Sequence, residues 1–282
     1  MTEKSDIRKV KHILVALDTS SHSRAALEAA VALAESMDAE LQGLFVEDIN
    51  WFRITKRSFS YEISDLTGRI RSIESMDIEQ EVRAQATRLR RLMDEMGKKS
   101  KIKYSFRTVR GGVEEEILTA TESADLITLG RLGHSFRKHT ELGKTAKTII
   151  HQSRKPVLML QQGWHIGNTN VAIYDGTDTS KKGLILAKQI AQSQGNRLLI
   201  VLYLPEISHY NERVEEIEHI FEDSEIKYQI RLMRDSDLKE LNRLIKKQEG
   251  GLLIIPKNSS FLYGEKLEDA LEIIQSPLLL FE

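Results

Sequence analysis

The residues best placed to do chemistry in this chain are three glycines and the cationic and hydroxyl side chains around them. Gly130-Arg131-Leu132-Gly133-His134 opens a stretch that closes on Gly143-Lys144-Thr145, so the spacing is G-x2-G-x9-G ahead of a helical pattern at residues 145–152. Glycines let backbone N–H groups approach oxygen atoms closely, and a helix N-terminus adds a dipole that favours an anion. Arg131, Arg137, Lys138 and Lys144 make the stretch positive. The chemistry indicated is the cradling of a polyphosphate. Gly143-Lys144-Thr145 imitates the end of a P-loop, but that motif needs a glycine five residues earlier, where Lys138 stands.

Other constellations read as structure. Ser20, Ser21 and Ser23 crowd the turn after Asp18 with His22 among them, a context that suits helix capping more than a hydrolytic triad. His134, His139 and His151 cluster around the glycine stretch, but the i, i+5 spacing of His134 and His139 on a loop gives no ligand geometry, so no metal site built from protein ligands is expected. The absence of cysteine removes disulfides, thiolate metal sites and thiol nucleophiles. Aromatics from Trp51 to Tyr61 alternate with Arg53, Lys56 and Arg57, as in single-strand binders. Glu62, Asp65, Glu74 and Asp77 then neutralise them. The segment 48–80 reads instead as a lid or partner contact. It leads into a helix over 78–96, on which Val82, Leu89, Leu92 and Met96 share one face.

The elements that must position these residues recur. Residues 12–18 and 170–175 are apolar runs ending in Asp18 and Asp175, followed by helical patterns at 25–34 and 183–191 and by further strands at 40–46 and 197–203. Residues 124–130 and 251–256 close each half, with a last strand after proline at 157–160 and 278–281. Short Val/Ile/Leu runs alternating with helices predict a parallel sheet covered on both faces. Two units follow, residues 1–162 and 168–282, joined by a Gly-containing link at 161–169. The second is shorter and lacks the glycine pattern: only Gly264 remains of it. In such sheets ligands bind at the carboxyl ends of strands near a switch point, here the first and fourth.

The order Ile13–Asp18, Ser20, Val109-Arg-Gly-Gly112, Asp125–Gly130, the glycine pattern and Lys155–Leu160 resembles the universal stress protein family, as two repeats. The resemblance implies an α/β fold of two tandem five-stranded, mostly parallel sheets with helices on both faces. It also implies an adenine nucleotide (ATP, ADP or AMP, with Mg2+ accompanying ATP) bound by Ala16, Leu17, Asp18, Val46, Gly130, Arg131, Gly133, His134, Gly143, Lys144 and Thr145. Asp18, Ala16 and Leu17 would flank the adenosine, Val46 would meet the base, and the glycines would frame the phosphates. ATP-binding members carry Ser or Thr after the last glycine. Lys144 in that place either adds a charged contact to phosphate or crowds the pocket.

Family units commonly pair through their last strands, so residues 157–160 and 278–281 are expected to pair within this chain, hiding two apolar edges. Net charge is −1, the sum of +4 over residues 1–165 and −5 over 166–282. That balance excludes a coat for nucleic acid or anionic membrane. No apolar run reaches the ~18 residues of a spanning helix, and residues 1–11 carry no leader pattern. The expectation is a cytoplasmic stress-response regulator with a protein partner. A scaffold that binds no nucleotide and a slow ATPase are the alternatives.

Overall fold

The computed structural model of the 282-residue chain describes residues 9–55, 61–63, 70–72, 75–131, 142–160, 163, 168–248, 251–262, 267–274 and 276–282. The first half runs β1 (His12–Leu17), α1 (Ser21–Met37), β2 (Glu40–Asp48), α2 (Ile49–Thr55), β3 (Tyr61–Ile63), β4 (Ile70–Ser72), α3 (Ser75–Ser100), β5 (Tyr104–Gly111), α4 (Val113–Thr121), β6 (Leu126–Gly130), α5 (Lys144–Gln152) and β7 (Val157–Leu160). The second runs β8 (Thr169–Tyr174), α6 (Asp178–Gln194), β9 (Arg197–Tyr203), α7 (Tyr210–Phe221), β10 (Tyr228–Met233), α8 (Leu238–Lys247), β11 (Leu253–Pro256), α9 (Leu267–Ile273) and β12 (Leu278–Phe281).

Apart from the small β3–β4 hairpin, the strands form one sheet in the order β10-β9-β8-β11-β12-β7-β6-β1-β2-β5. The second half repeats the strand order of the first as a mirror sequence about the middle. Every pairing in this sheet is parallel except that of β7 with β12. Two five-stranded units therefore merge into one ten-stranded sheet. Its two most apolar strands, Val-Leu-Met-Leu and Leu-Leu-Leu-Phe, sit buried at the centre. The edges are β5 and β10, which expose alternate residues.

Strand alternation sends side chains to two layers. Ile13, Val15 and Leu17 of β1 pack with α1, α3, α6 and α7. Leu14 packs on the other side, with α4, α5, α8 and α9. Strands covered on both sides are mostly apolar, which is why β1 and β8 show no polar alternation, although Asn170 of β8 and Thr128 of β6 are also fully buried. α1 and α6 lie side by side, and Ser36 Oγ donates to Ser193 Oγ at 3.3 Å. α3 is longer than its apolar face implies, spanning Ser75–Ser100.

The packing of α6 on β12 is tight at Gly183. A Cβ there would lie 2.1 Å from Phe281 Cζ. Glycine to alanine inside a helix ordinarily gains about 1 kcal/mol. Here Gly183→Ala is expected to cost about 1–3 kcal/mol through overpacking, seen as a lower urea midpoint. Gly183→Ala with Phe281→Leu recovers most of the loss.

Candidate functional site

The strand order reverses direction between β1 and β6, and their carboxyl ends open a cleft of about 1230 Å3. Ala16, Leu17 and Asp18 line one wall, Val46 and Glu47 a second, Leu129 and Gly130 a third, and Lys144 and Thr145 of α5 the mouth. A crevice at such a switch point is where open α/β sheets hold ligands. The inserted segment supplies a further wall, with Asn50 and Trp51 of α2 and Asp77, Ile78, Glu81 and Gln85 of α3. Phe52 holds α2 down: the Arg110 guanidinium lies 3.9 Å from its ring centre and donates to Glu47 Oε2 at 2.8 Å. Trp51 is left half exposed beside the cleft.

Asp18 is tied into the start of α1. Its Oδ1 accepts from Ser20 N at 2.9 Å, and its own N–H donates to Ser23 Oγ at 2.9 Å. Ser20 caps the helix by accepting from Ser23 N at 3.1 Å. The turn that aims Asp18 at the cleft is therefore built by the capping serines. α5 begins differently. Its N-cap is Gly143, which has no side chain to cap the first turn, and that turn lies at the mouth of the cleft.

Gly130, Arg131 and Gly143 also line the cleft, and each makes a further contact of its own. Arg131 was expected among the phosphates, but its Nη1 donates to the backbone oxygen of Ile274 in the second half, at 2.5 Å. Burial pushes its pKa down and Glu272 offsets this in part. Gly130 leaves room for α1, because a Cβ would lie 2.8 Å from the His22 carbonyl carbon. Gly143 spends its N–H on Arg131 O at 3.0 Å. Gly133 and His134 lie outside the described residues. Lys144 points outward at 84% side-chain exposure and sits 3.4 Å from Glu114 Oε1, to which Thr145 Oγ1 also donates. It does not crowd the cleft. Glu114 was not foreseen, although three consecutive acids after Gly111-Gly112 mark the first turn of α4.

The second half keeps the framework and fills the space. Asp175, Thr177 and Ser180 repeat the turn of Asp18, Ser20 and Ser23. The other oxygen of Asp175 accepts from Ser259 Oγ, Ser260 N and Ser260 Oγ, each at 2.9 Å. Burial would raise its pKa, but these donors and Thr177 hold it down. Register aligns Leu17 with Phe45 and Tyr174 with Leu202, so Tyr203 stands where Val46 stands in the first half. Phe261 packs edge-on against Tyr203 at 5.2 Å and is 1% exposed. Two aromatic rings thus fill the space beside the strand position that Val46 holds in the first half.

On the other face of the sheet, Tyr174 donates to Glu216, which also takes Arg213 at 2.8 Å and Lys181 at 3.0 Å. Burial alone would raise the Glu216 carboxyl, but Tyr174, Arg213 and Lys181 outweigh it and pull it down to about 2. A depressed acid stabilises the fold above its unfolded pKa and loses that contribution as pH falls through the folded one. Glu216→Gln should therefore lower the urea midpoint at pH 7. The gap to the parent should persist down to about pH 4.5 and narrow from there towards pH 2.

Among the described residues, no helix is long and apolar enough to cross a membrane, and no group of three or more His, Asp or Glu could hold a metal ion. The universal stress protein family profile matches residues 9–161. The chain is 26% identical over 155 residues to universal stress protein MJ0531 of Methanocaldococcus jannaschii, covering 54% of this chain and 82% of that protein. Its fold is similar to that of a universal stress protein from Archaeoglobus fulgidus, with a TM-score of 0.73 at 16% identity over 98% of this chain and 99% of that one. Protein PA1789 of Pseudomonas aeruginosa, described as functionally unknown, aligns with a TM-score of 0.62 at 17% identity over 96% of this chain and 92% of its own. The profile spans more than half of the sequence, including β1 to β7 and the cleft between them, and the chain belongs to the universal stress protein family.

Proposed function

We propose that the chain is a tandem universal stress protein, with units at residues 1–162 and 168–282, and that its first unit binds ATP or a related adenine nucleotide. It acts as a cytoplasmic stress-response regulator whose nucleotide state is read by a protein partner. The observation that supports this most is the convergence of Ala16, Asp18, Val46, Lys144 and Thr145, from three separate segments, on one cleft at the strand ends. The base lies against Val46, the ribose near Asp18, and the phosphates toward Lys144, Thr145 and the first-turn N–H groups of α5. A phosphate would displace Glu114 from Lys144 and Thr145, exchanging one anion for another.

The cleft wall is acidic: Asp18, Glu47, Asp48, Asp77, Glu81 and Glu114 outnumber Arg131 and Lys144 among its lining residues. A triphosphate fits such a wall best with its charge part-neutralised, and Mg2+ would arrive on the phosphates. The second unit serves as a structural partner, its equivalent space being taken by Phe261 and Tyr203.

Calorimetric titration with Mg-ATP, ADP and AMP tests the proposal, and no heat from the parent protein at millimolar nucleotide would overturn it. Val46→Tyr copies the second unit and should abolish binding without unfolding the chain, since Tyr203 fits the same strand position. Lys144→Ala should weaken ATP about tenfold, the worth of one charge-assisted hydrogen bond, and AMP much less.

A further inference from the structure

Two cations, Arg131 at the cleft's edge and Lys257 away from it, reach across to the opposite half. Arg131 follows β6 and its Nη1 donates to Ile274 O at the end of α9, at 2.5 Å. Lys257 follows β11 and its Nζ donates to Ser153 O at the end of α5, at 2.6 Å. The two bonds are equivalent. Arg131 N donates to Leu160 O and Lys257 N to Phe281 O, so each cation is the residue after its unit's fourth long-sheet strand in sequence, tied to the end of the fifth. Ser153 N bonds Ile149 O and Ile274 N bonds Ala270 O, so each acceptor residue closes its unit's last helix. The relation is the pseudo-two-fold that sets Leu158 opposite Leu279 and Ser36 against Ser193.

A cation at the carbonyl end of a helix is favourable in itself. Taking it out of water is costly, and an apolar side chain of similar length would pack there without that cost. Burial lowers the pKa of both groups. The same bond is nevertheless made twice, crosswise, at the residue that leads into the glycine loop and at its counterpart.

We propose that Arg131 and Lys257 are positioning residues that couple the first unit's cleft to the second unit. Arg131 fixes the chain at the end of β6 to α9. Lys257 fixes the far end of α5, whose first turn forms the mouth of the cleft. A ligand that shifts the end of β6 or α5 must then shift α9 or the turn after β11, so the second unit senses the first. The identity of the ligand rests on the nucleotide function proposed above; the crosswise coupling does not.

The test uses the full chain with Arg131→Met, Arg131→Lys and Lys257→Met, read by hydrogen exchange and by calorimetry with Mg-ATP. R131M should speed exchange in the last turn of α9, and K257M in the last turn of α5. ATP should protect α9 in the parent and no longer in R131M, and ATP affinity of R131M should fall at least about fivefold. R131K should restore both, since lysine makes this bond at position 257. Exchange changes confined to the mutated unit, or parental ATP affinity and α9 protection in R131M, would overturn the coupling. If R131M does not fold, K257M carries the same test through α5 exchange and ATP affinity. A parent protein that binds no ATP overturns the nucleotide function alone, and the crosswise exchange pattern then decides the coupling.

Discussion

Strands as apolar as Val157–Leu160 and Leu278–Phe281 cannot terminate a sheet in water without offering a sticky edge. Their antiparallel pairing, with Leu158 opposite Leu279, removes both edges at once. It also sets the two-fold relation between the halves, and most of the remaining structure follows from that. α1 must lie beside α6, as the Ser36–Ser193 contact shows. The ends of α5 and α9 must face the turns of the opposite half, where Arg131 and Lys257 find their carbonyl oxygens. The edges left over, β5 and β10, each keep a wet face, which makes them tolerable ends.

On this shared frame the two halves diverge in what fills the strand ends. Each builds the same turn, Asp18-x-Ser20-x-x-Ser23 and Asp175-x-Thr177-x-x-Ser180, because a strand running into a helix needs its first N–H groups capped. In the second half the aspartate goes on to clasp Ser259 and Ser260, and Tyr203 and Phe261 close the space. In the first half Val46 leaves that space open, and the segment carrying α2 and α3 adds a wall to it. An unchanged frame thus carries one open site and one closed site, and the difference lies in a few side chains.

Much of this was legible in the chain. Apolar runs ending in Asp18 and Asp175 announced parallel strands, because strands buried on both faces are mostly apolar. The prolines at 156 and 277 marked the last strands. The glycine pattern is lost after residue 255, where Phe261 now packs against Tyr203. β5 and β10 did not stand out, since Tyr104–Gly111 and Tyr228–Met233 alternate with polar residues as an edge requires. α3 ran past its apolar stripe at both ends, where its residues are mostly wet.

What the sequence determined by itself was local: element type, the capping turns, the repeat and the candidate residues around the glycines. Those follow from backbone chemistry and from hydrophobic period, which act over a few residues. Only the tertiary structure decided where the charges point. Arg131 sits in the most phosphate-like stretch of the chain, yet its guanidinium turns away to Ile274, 143 residues further on. Lys144, which could have blocked the cleft, leans outward to Glu114. A long cation goes to the nearest acceptor in space, and the pairing of β7 with β12 determines which carbonyl that is.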